Sequence, residues 1–216
     1  GISEQLPEDF TAFEQLLATS IKNALAEKQV DLEDPRTLLL LASTKGNIGL
    51  LTPGAEDPQG VTSLRGSAKK IGNWLGYHSV PMVVSNACIS GMTALMTAKR
   101  LMDAGLYDRA MVAGADCISP FIVAGFRSFQ ALSDEICKPF DLHRKGINLS
   151  EGAATIILSK SPAAISLSGG STSSDANHIS GPSRTGAEMA QAISVAMQRA
   201  GIGADEQRAQ TLGVNT

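Results

Sequence analysis

Phe10, Phe13, Leu17, Ile21, Ala24 and Leu25 recur at three- and four-residue intervals, which predicts a helix with one apolar face. Four successive leucines, Leu38–Leu41, make a short run that predicts a strand buried on both sides. A Gly/Pro-rich loop over 45–60 follows, then a helical stretch over 63–75 that carries Arg65, Lys69 and Lys70. Val80–Ser85 predicts a strand, with Pro81 at its start or on an edge because it donates no ladder hydrogen bond. Gly91–Asp103 predicts a helix with Ala94, Leu95, Ala98, Leu101 and Met102 inward, closed by Gly105. Strands are expected at Arg109–Gly114, Thr155–Ser159 and Ala163–Ser168, the last two close together. Met189, Ile193, Ala196 and Ala200 mark a final helix ended by Gly201. Strands alternating with helices imply a layered α/β domain with a largely parallel sheet.

Composition narrows the class without selecting a function. The chain has 216 residues, 43% hydrophobic and 18% charged, which is ordinary for a globular protein and excludes disorder as its main state. A formal net charge of −3 gives no electrostatic reason to expect nucleic acid or an anionic membrane as partner. The three cysteines do not form a disulfide framework and fit a reducing compartment, so a cytoplasmic location is expected. The longest apolar runs are far shorter than a membrane span, and Gly1–Leu6 shows no signal-peptide pattern.

The most informative stretch is Val83-Val-Ser-Asn-Ala-Cys-Ile-Ser-Gly-Met92, where an apolar strand runs through small residues and Cys88 into a helix. Small neighbours permit a tight turn. The helix N-terminus offers unpaired N–H groups and a positive dipole end to a thiolate, the nucleophilic form of cysteine, and the same N–H groups could help hold an oxyanion. Taken alone, the stretch also fits a small apolar filler, the common role of free cysteine. Cys117, after a strand, and Cys137, in a loop before Lys138-Pro139, are expected to be fillers.

Three segments bear on that choice together. Ala87-Cys-Ile-Ser-Gly91, then Lys138-Pro-Phe-Asp-Leu-His-Arg-Lys-Gly146 with Glu151-Gly-Ala-Ala154, then Ser173-Ser-Asp-Ala-Asn-His-Ile-Ser-Gly-Pro182 stand in the order of the β-ketoacyl-acyl-carrier-protein synthases. The chain resembles that family of condensing enzymes, in the thiolase-like superfamily, from the first helix to about Gly201. The resemblance implies a layered α/β/α/β/α fold, incomplete in this chain. It implies an N-terminal thiolase-like half over 1–160 with the nucleophile, and a truncated start of the C-terminal half over 161–216. It also implies that Cys88 takes an acyl group and that malonyl-carrier protein then condenses with it, losing carbon dioxide, to give a 3-oxoacyl product. The family's chain-length-factor subunits lack this cysteine. No metal or redox cofactor is implied, since substrates are carried on phosphopantetheine. The implied partners are acyl carrier protein, acyl and malonyl thioesters and a second copy of the chain.

Other candidates follow from the same resemblance. His178 and Ser180 match the motif near the pantetheine tunnel, with Ser180 where the family usually has threonine. The family's two catalytic histidines lie further on, so His178 is not the expected partner of Cys88. Arg65, Lys69 and Lys70 form a basic cluster that fits docking of an acidic carrier protein or, equally, a solvated helix face. Asp141, Arg144 and Glu151 are expected to be structural. His78 and His143 lack metal-like spacing, and Gly46-Asn-Ile-Gly49 lacks the lysine and glycines of a phosphate loop.

The chain also departs from the family. An initial glycine-containing strand and helix are missing before Gly1, and Ser159-Lys-Ser-Pro-Ala163 is shorter than the usual connection. The His-Gly-Thr segment is absent. Either the sequence stops just before it, at Val214-Asn-Thr216, or residues are lost around Asp205-Glu206. The expectation is a fragment or incomplete record of a protein about twice as long, without the histidines that condensation requires. Rival readings are a polyketide or aryl-polyene condensing enzyme, a non-catalytic partner subunit, and a cysteine hydrolase drawing on His78, His143 or His178.

Overall fold

A computed structural model describes residues 6–51, 54, 57, 60–176 and 183–203. The chain divides into two compact units, 1–160 and 161–216.

The first unit is built on a mixed sheet ordered β2-β1-β3-β4. Its strands are β1 (Thr37–Ala42), β2 (Met82–Val84), β3 (Arg109–Asp116) and β4 (Gly152–Ser159). β1 pairs in parallel with β2 and β3, and β4 runs antiparallel to β3. The leucine run is central, and every residue of β1 is buried. Alternation along the strand divides its side chains between two cores. Leu39 and Leu41, with Met111 and Ala113 of β3, meet helices α1 (Ala12–Glu27) and α2 (Leu64–Leu75) through Leu17, Ile21 and Ile71. Leu38, Leu40 and Val112 meet α3 (Ser90–Asp103) on the other face through Ala94, Ala98 and Met102. The result is a three-layer α/β/α stack.

Local signals set the helix ends. Thr11 and Glu14 form a capping box at α1, and Ser63 caps α2 by accepting from the Gly66 N–H. At the end of α3, Gly105 adopts φ +76°, its N–H donates to the Met102 carbonyl, and the Leu106 N–H donates to the Leu101 carbonyl. That double return is the reason for glycine there. Pro81 directly precedes β2, an edge strand, which is one of the places where proline is tolerated.

Three features were not expected. A helix, α4 (Pro120–Ser128), follows β3; Ser119 caps it by accepting from the Ile122 N–H, and Pro120 opens it. A 3-10 turn occupies Ile48–Leu50. The strand expected at Ala163–Ser168 does not form, and Ile165 within it is exposed. A strand exists only through a partner for its backbone groups, and among the described residues the second unit offers none. That unit's helix is α5 (Ala187–Ala200), closed by Gly201 at φ +70°. The preceding segment lies against it, with the Arg199 guanidinium donating to the Gly170 carbonyl at 2.9 Å.

Candidate functional site

β1, β2 and β3 are parallel, so their C-terminal ends meet at one edge of the sheet. There Ser43, Ala87, Cys88, Asp116, Gly152 and Ala154, with neighbouring small residues, line an open cavity of about 520 Å³. Cys88 is exposed and faces this cavity at the start of α3. The Glu151-Gly-Ala-Ala154 motif therefore supplies part of the wall, and small side chains leave the space open. Among the described residues, no histidine lines the cavity.

The turn that presents Cys88 is tightly specified. Ala87 has φ +46°, an uncommon conformation for a residue with a Cβ. Ser90 Oγ accepts from the Asn86 N–H at 2.8 Å and donates to the Ala87 carbonyl at 2.6 Å. The Asn86 side-chain amide donates to Thr93 Oγ1 at 3.1 Å. No side chain caps the N-terminus of α3. Its first turn is thus free of a competing side-chain acceptor and can stabilise negative charge on a group seated there.

Asp116, the last residue of β3, braces the same edge. Its Oδ1 accepts from Ser43 Oγ and from the Thr44 N–H, both at 2.8 Å. Its Oδ2 lies 3.1 Å from Thr44 Oγ1, which is also 3.1 Å from the Ala87 carbonyl. Sequence reasoning missed both Asp116 and Thr44. Neither belongs to a legible motif, and only the parallel register of β1 and β3 brings them together.

The remaining cysteines differ from Cys88. Cys117 packs partly buried against the larger core, and burial pushes its thiol up from the ordinary range, with Glu151 and Asp116 adding to the shift. Cys137 is half-buried in its loop, its N–H donating to Asn148 Oδ1 at 2.8 Å. His78 bonds the Thr37 carbonyl at the start of β1, the end of the sheet opposite the cavity. His143 is exposed in the 138–146 loop, its N–H donating to Asp141. A cysteine–histidine pair at Cys88 is therefore not assembled from these two histidines. His178 and Ser180 lie outside the described residues.

Among the structural candidates, Glu151 accepts from the Ile118 N–H at 2.9 Å, and the Arg144 guanidinium donates to the Asp141 carbonyl at 2.9 Å. The three do not form an ion pair, so their order comes from backbone hydrogen bonds. Gly146 closes this loop at φ +138°, where a Cβ would come within 2.6 Å of the Ala131 carbonyl oxygen.

The basic cluster also separates. Arg65 and Lys69 are exposed, one turn apart on α2. Lys70 is engaged elsewhere: its ammonium is 3.3 Å from Glu14 and 3.1 Å from Asp9. Glu14 is buried and also accepts from Ser67 Oγ at 2.7 Å and from the Thr11 N–H at 3.0 Å. Such a carboxylate requires this degree of satisfaction. Lys70 thus ties α2 to the start of α1. Asn47 joins the same network through Ser67 and the Val61 carbonyl, which gives the Gly46-Asn-Ile-Gly49 loop a structural role. No group of residues among those described is arranged to hold a metal ion, and no described helix is long and apolar enough to cross a membrane.

Comparison with known proteins identifies the architecture. The family profile of the β-ketoacyl synthase N-terminal domain matches residues 1–164. A putative polyketide β-ketoacyl synthase 1 from Streptomyces cyaneus is 30% identical over 150 residues, which is 62% of this chain and 36% of that protein. A putative mitochondrial 3-oxoacyl-[acyl-carrier-protein] synthase from Schizosaccharomyces pombe is 26% identical over 147 residues, 61% of this chain and 34% of its own length. Among solved structures, a ketosynthase in complex with its chain length factor from Xenorhabdus doucetiae has a TM-score of 0.74 at 26% identity. That match covers 94% of this chain and 56% of the solved one. The ishigamide ketosynthase/chain length factor has the same fold, with a TM-score of 0.80 at 23% identity over 94% of this chain and 56% of its own. The chain spans about a third of the curated relatives it matches and little more than half of the solved structures. The layered α/β fold is therefore the thiolase-like one of the ketosynthases, present here in part.

Proposed function

The chain belongs to the β-ketoacyl synthase family, and from that premise we propose that it carries the acyl-accepting half of a 3-oxoacyl-[acyl-carrier-protein] synthase, with Cys88 as nucleophile. The observation that carries this reading is the exposed Cys88 on a left-handed turn, at an uncapped helix N-terminus, facing a cavity walled by small residues. The Cys88 thiolate attacks the carbonyl of an acyl thioester, the carrier's pantetheine or coenzyme A thiol leaves, and an acyl-enzyme forms. Malonyl-carrier protein then loses carbon dioxide, and its carbanion attacks the acyl carbonyl. The 3-oxoacyl product leaves on the carrier and the Cys88 thiolate is regenerated. Histidines of the family's later motifs are proposed to activate this second step.

Acyl carrier protein is the proposed donor, with Arg65 and Lys69 as the docking cations that remain exposed on α2. Ser180 and His178 are proposed, from their match to the family's motif, to contact the phosphopantetheine arm. A homodimer is the proposed assembly, in keeping with the edge strand β2, which leaves Met82 exposed, with Val80 exposed just before it. A polyketide-type condensing enzyme is the second reading. It is favoured by relatives such as the tetracenomycin ketoacyl synthase α subunit from Streptomyces glaucescens, 34% identical over 133 residues.

Intact-mass spectrometry after incubation with acyl-carrier protein tests the assignment. One acyl mass per chain, absent in Cys88→Ala, is the expected result; labelling that persists in the variant would remove Cys88 from the role. Competing acyl chains in the same assay separate the two pathway readings.

A further inference from the structure

We propose that Thr44 is a positioning residue for Cys88: its hydroxyl, braced by Asp116, ties the Ala87 carbonyl to the end of β1 and so fixes the turn that aims the thiol. This rests on reading Cys88 as the nucleophile and adds what sets its direction.

The argument begins with the strain at Ala87. A left-handed conformation in a residue with a Cβ costs on the order of 1–2 kcal/mol and persists only where the surroundings enforce it. The bonds from Ser90 to the Asn86 N–H and the Ala87 carbonyl lie inside the turn and would move with it. A fixed direction needs a tie to something outside the turn. Thr44, 43 residues away in sequence, supplies one at 3.1 Å onto the Ala87 carbonyl.

The tie is itself held. The Thr44 N–H is pinned to Asp116 Oδ1 at 2.8 Å, and its carbonyl accepts from Ser85 Oγ at 3.2 Å. The adjacent Ser43 donates its N–H to the Val84 carbonyl at 3.3 Å and its hydroxyl to Asp116 at 2.8 Å. Residues 43 and 44 are thus fastened to both sides, β3 through Asp116 and the turn through 84–87. A threonine hydroxyl has one proton, which here lies 3.1 Å from two acceptors, Asp116 Oδ2 and the Ala87 carbonyl. Removing the hydroxyl takes away a link that no other side chain outside the turn makes to this carbonyl among the described residues. The turn can then relax at Ala87, and the thiol loses its orientation toward the cavity. Attack on a thioester carbonyl depends on such orientation far more than attack by a thiol on a small alkylating agent.

The test uses the full chain with Thr44→Val, which keeps the side-chain size, and Thr44→Ser, which restores the hydroxyl. Acyl transfer to Cys88 from an acyl-pantetheine thioester is followed against pH, and iodoacetamide labelling is resolved by peptide, with Cys137 as internal reference. In Thr44→Val the plateau of the acyl-transfer profile is expected to fall about tenfold with its midpoint unmoved, and the Cys88 alkylation plateau about threefold. Thr44→Ser is expected to stay near the parent, Cys137 labelling is expected not to change, and Thr44→Ala must repeat the valine result. An unchanged plateau in the valine and alanine variants, a serine variant as impaired as they are, or a parallel change at Cys137 overturns the proposal. If the parent chain takes no acyl group, the nucleophile reading fails separately, and the alkylation plateau still decides the role of Thr44.

Discussion

Two strand ends at the same edge of the sheet carry the same tripeptide and do different things with it. β2 is followed by Cys88-Ile-Ser90 and α3, and β3 by Cys117-Ile-Ser119 and α4. In the first, Ser90 turns its hydroxyl back into a strained turn, the helix end has no side-chain cap, and the cysteine is exposed. In the second, Ser119 caps the helix by accepting from Ile122, and the Ile118 N–H is taken by Glu151. Cys117 lies partly buried against the core. The contrast teaches that the same tripeptide between a strand and a helix can leave its cysteine exposed or partly buried. What separates the two is the φ of the residue before the cysteine and whether the serine hydroxyl caps the helix or turns back into the loop.

The sharpest way to break this comparison is acylation. Cys88→Ala is expected to abolish it and Cys117→Ala to leave it intact, read by intact mass; equal losses would erase the distinction. Next in size is the ratio of alkylation rates. At neutral pH Cys88 is expected to react at least about tenfold faster than Cys117. Because burial pushes the Cys117 thiol up, its neutral form persists to higher pH, and its labelling should keep rising above the ordinary thiol range. A smaller effect concerns the caps. Ser119→Ala is expected to cost about 1 kcal/mol of stability in denaturant titration without changing Cys88 labelling. Ser90→Ala should instead slow that labelling. The smallest effect is Ala87→Gly: relief of the left-handed backbone, less the added entropy of the unfolded chain, leaves a gain of about 0.5 kcal/mol. A loss on thermal melting would mean that the turn is not strained.

Much of this fold was legible because it depends on short-range regularity. The three- and four-residue spacing placed α1, α3 and α5, a helical stretch was legible at α2, and the leucine run gave a strand buried on both faces. The helix at 120–128 was overlooked although Ser119-Pro120 is a start signal, because an apolar run of that length has no clear period. The strand expected at Ala163–Ser168 failed for the opposite reason: its residues suit a strand, but pairing is a property of a neighbour. Lys70 looked like its exposed neighbour Lys69 until the buried Glu14 claimed it. The Thr11–Glu14 capping box was readable, though the burial of that carboxylate was not.

The strand–Cys88–helix junction and its family motifs were written in the sequence, since each rests on residues close together along the chain. Only tertiary structure showed how the turns at Cys88 and Cys117 differ, paired Lys70 with Glu14 and Asp9, and brought Thr44 and Asp116 to the Ala87 turn. Those outcomes depend on strand register and on hydrogen bonds between residues 43 to 72 positions apart. Contacts of that range follow from how the layers close over the sheet, which no local pattern encodes.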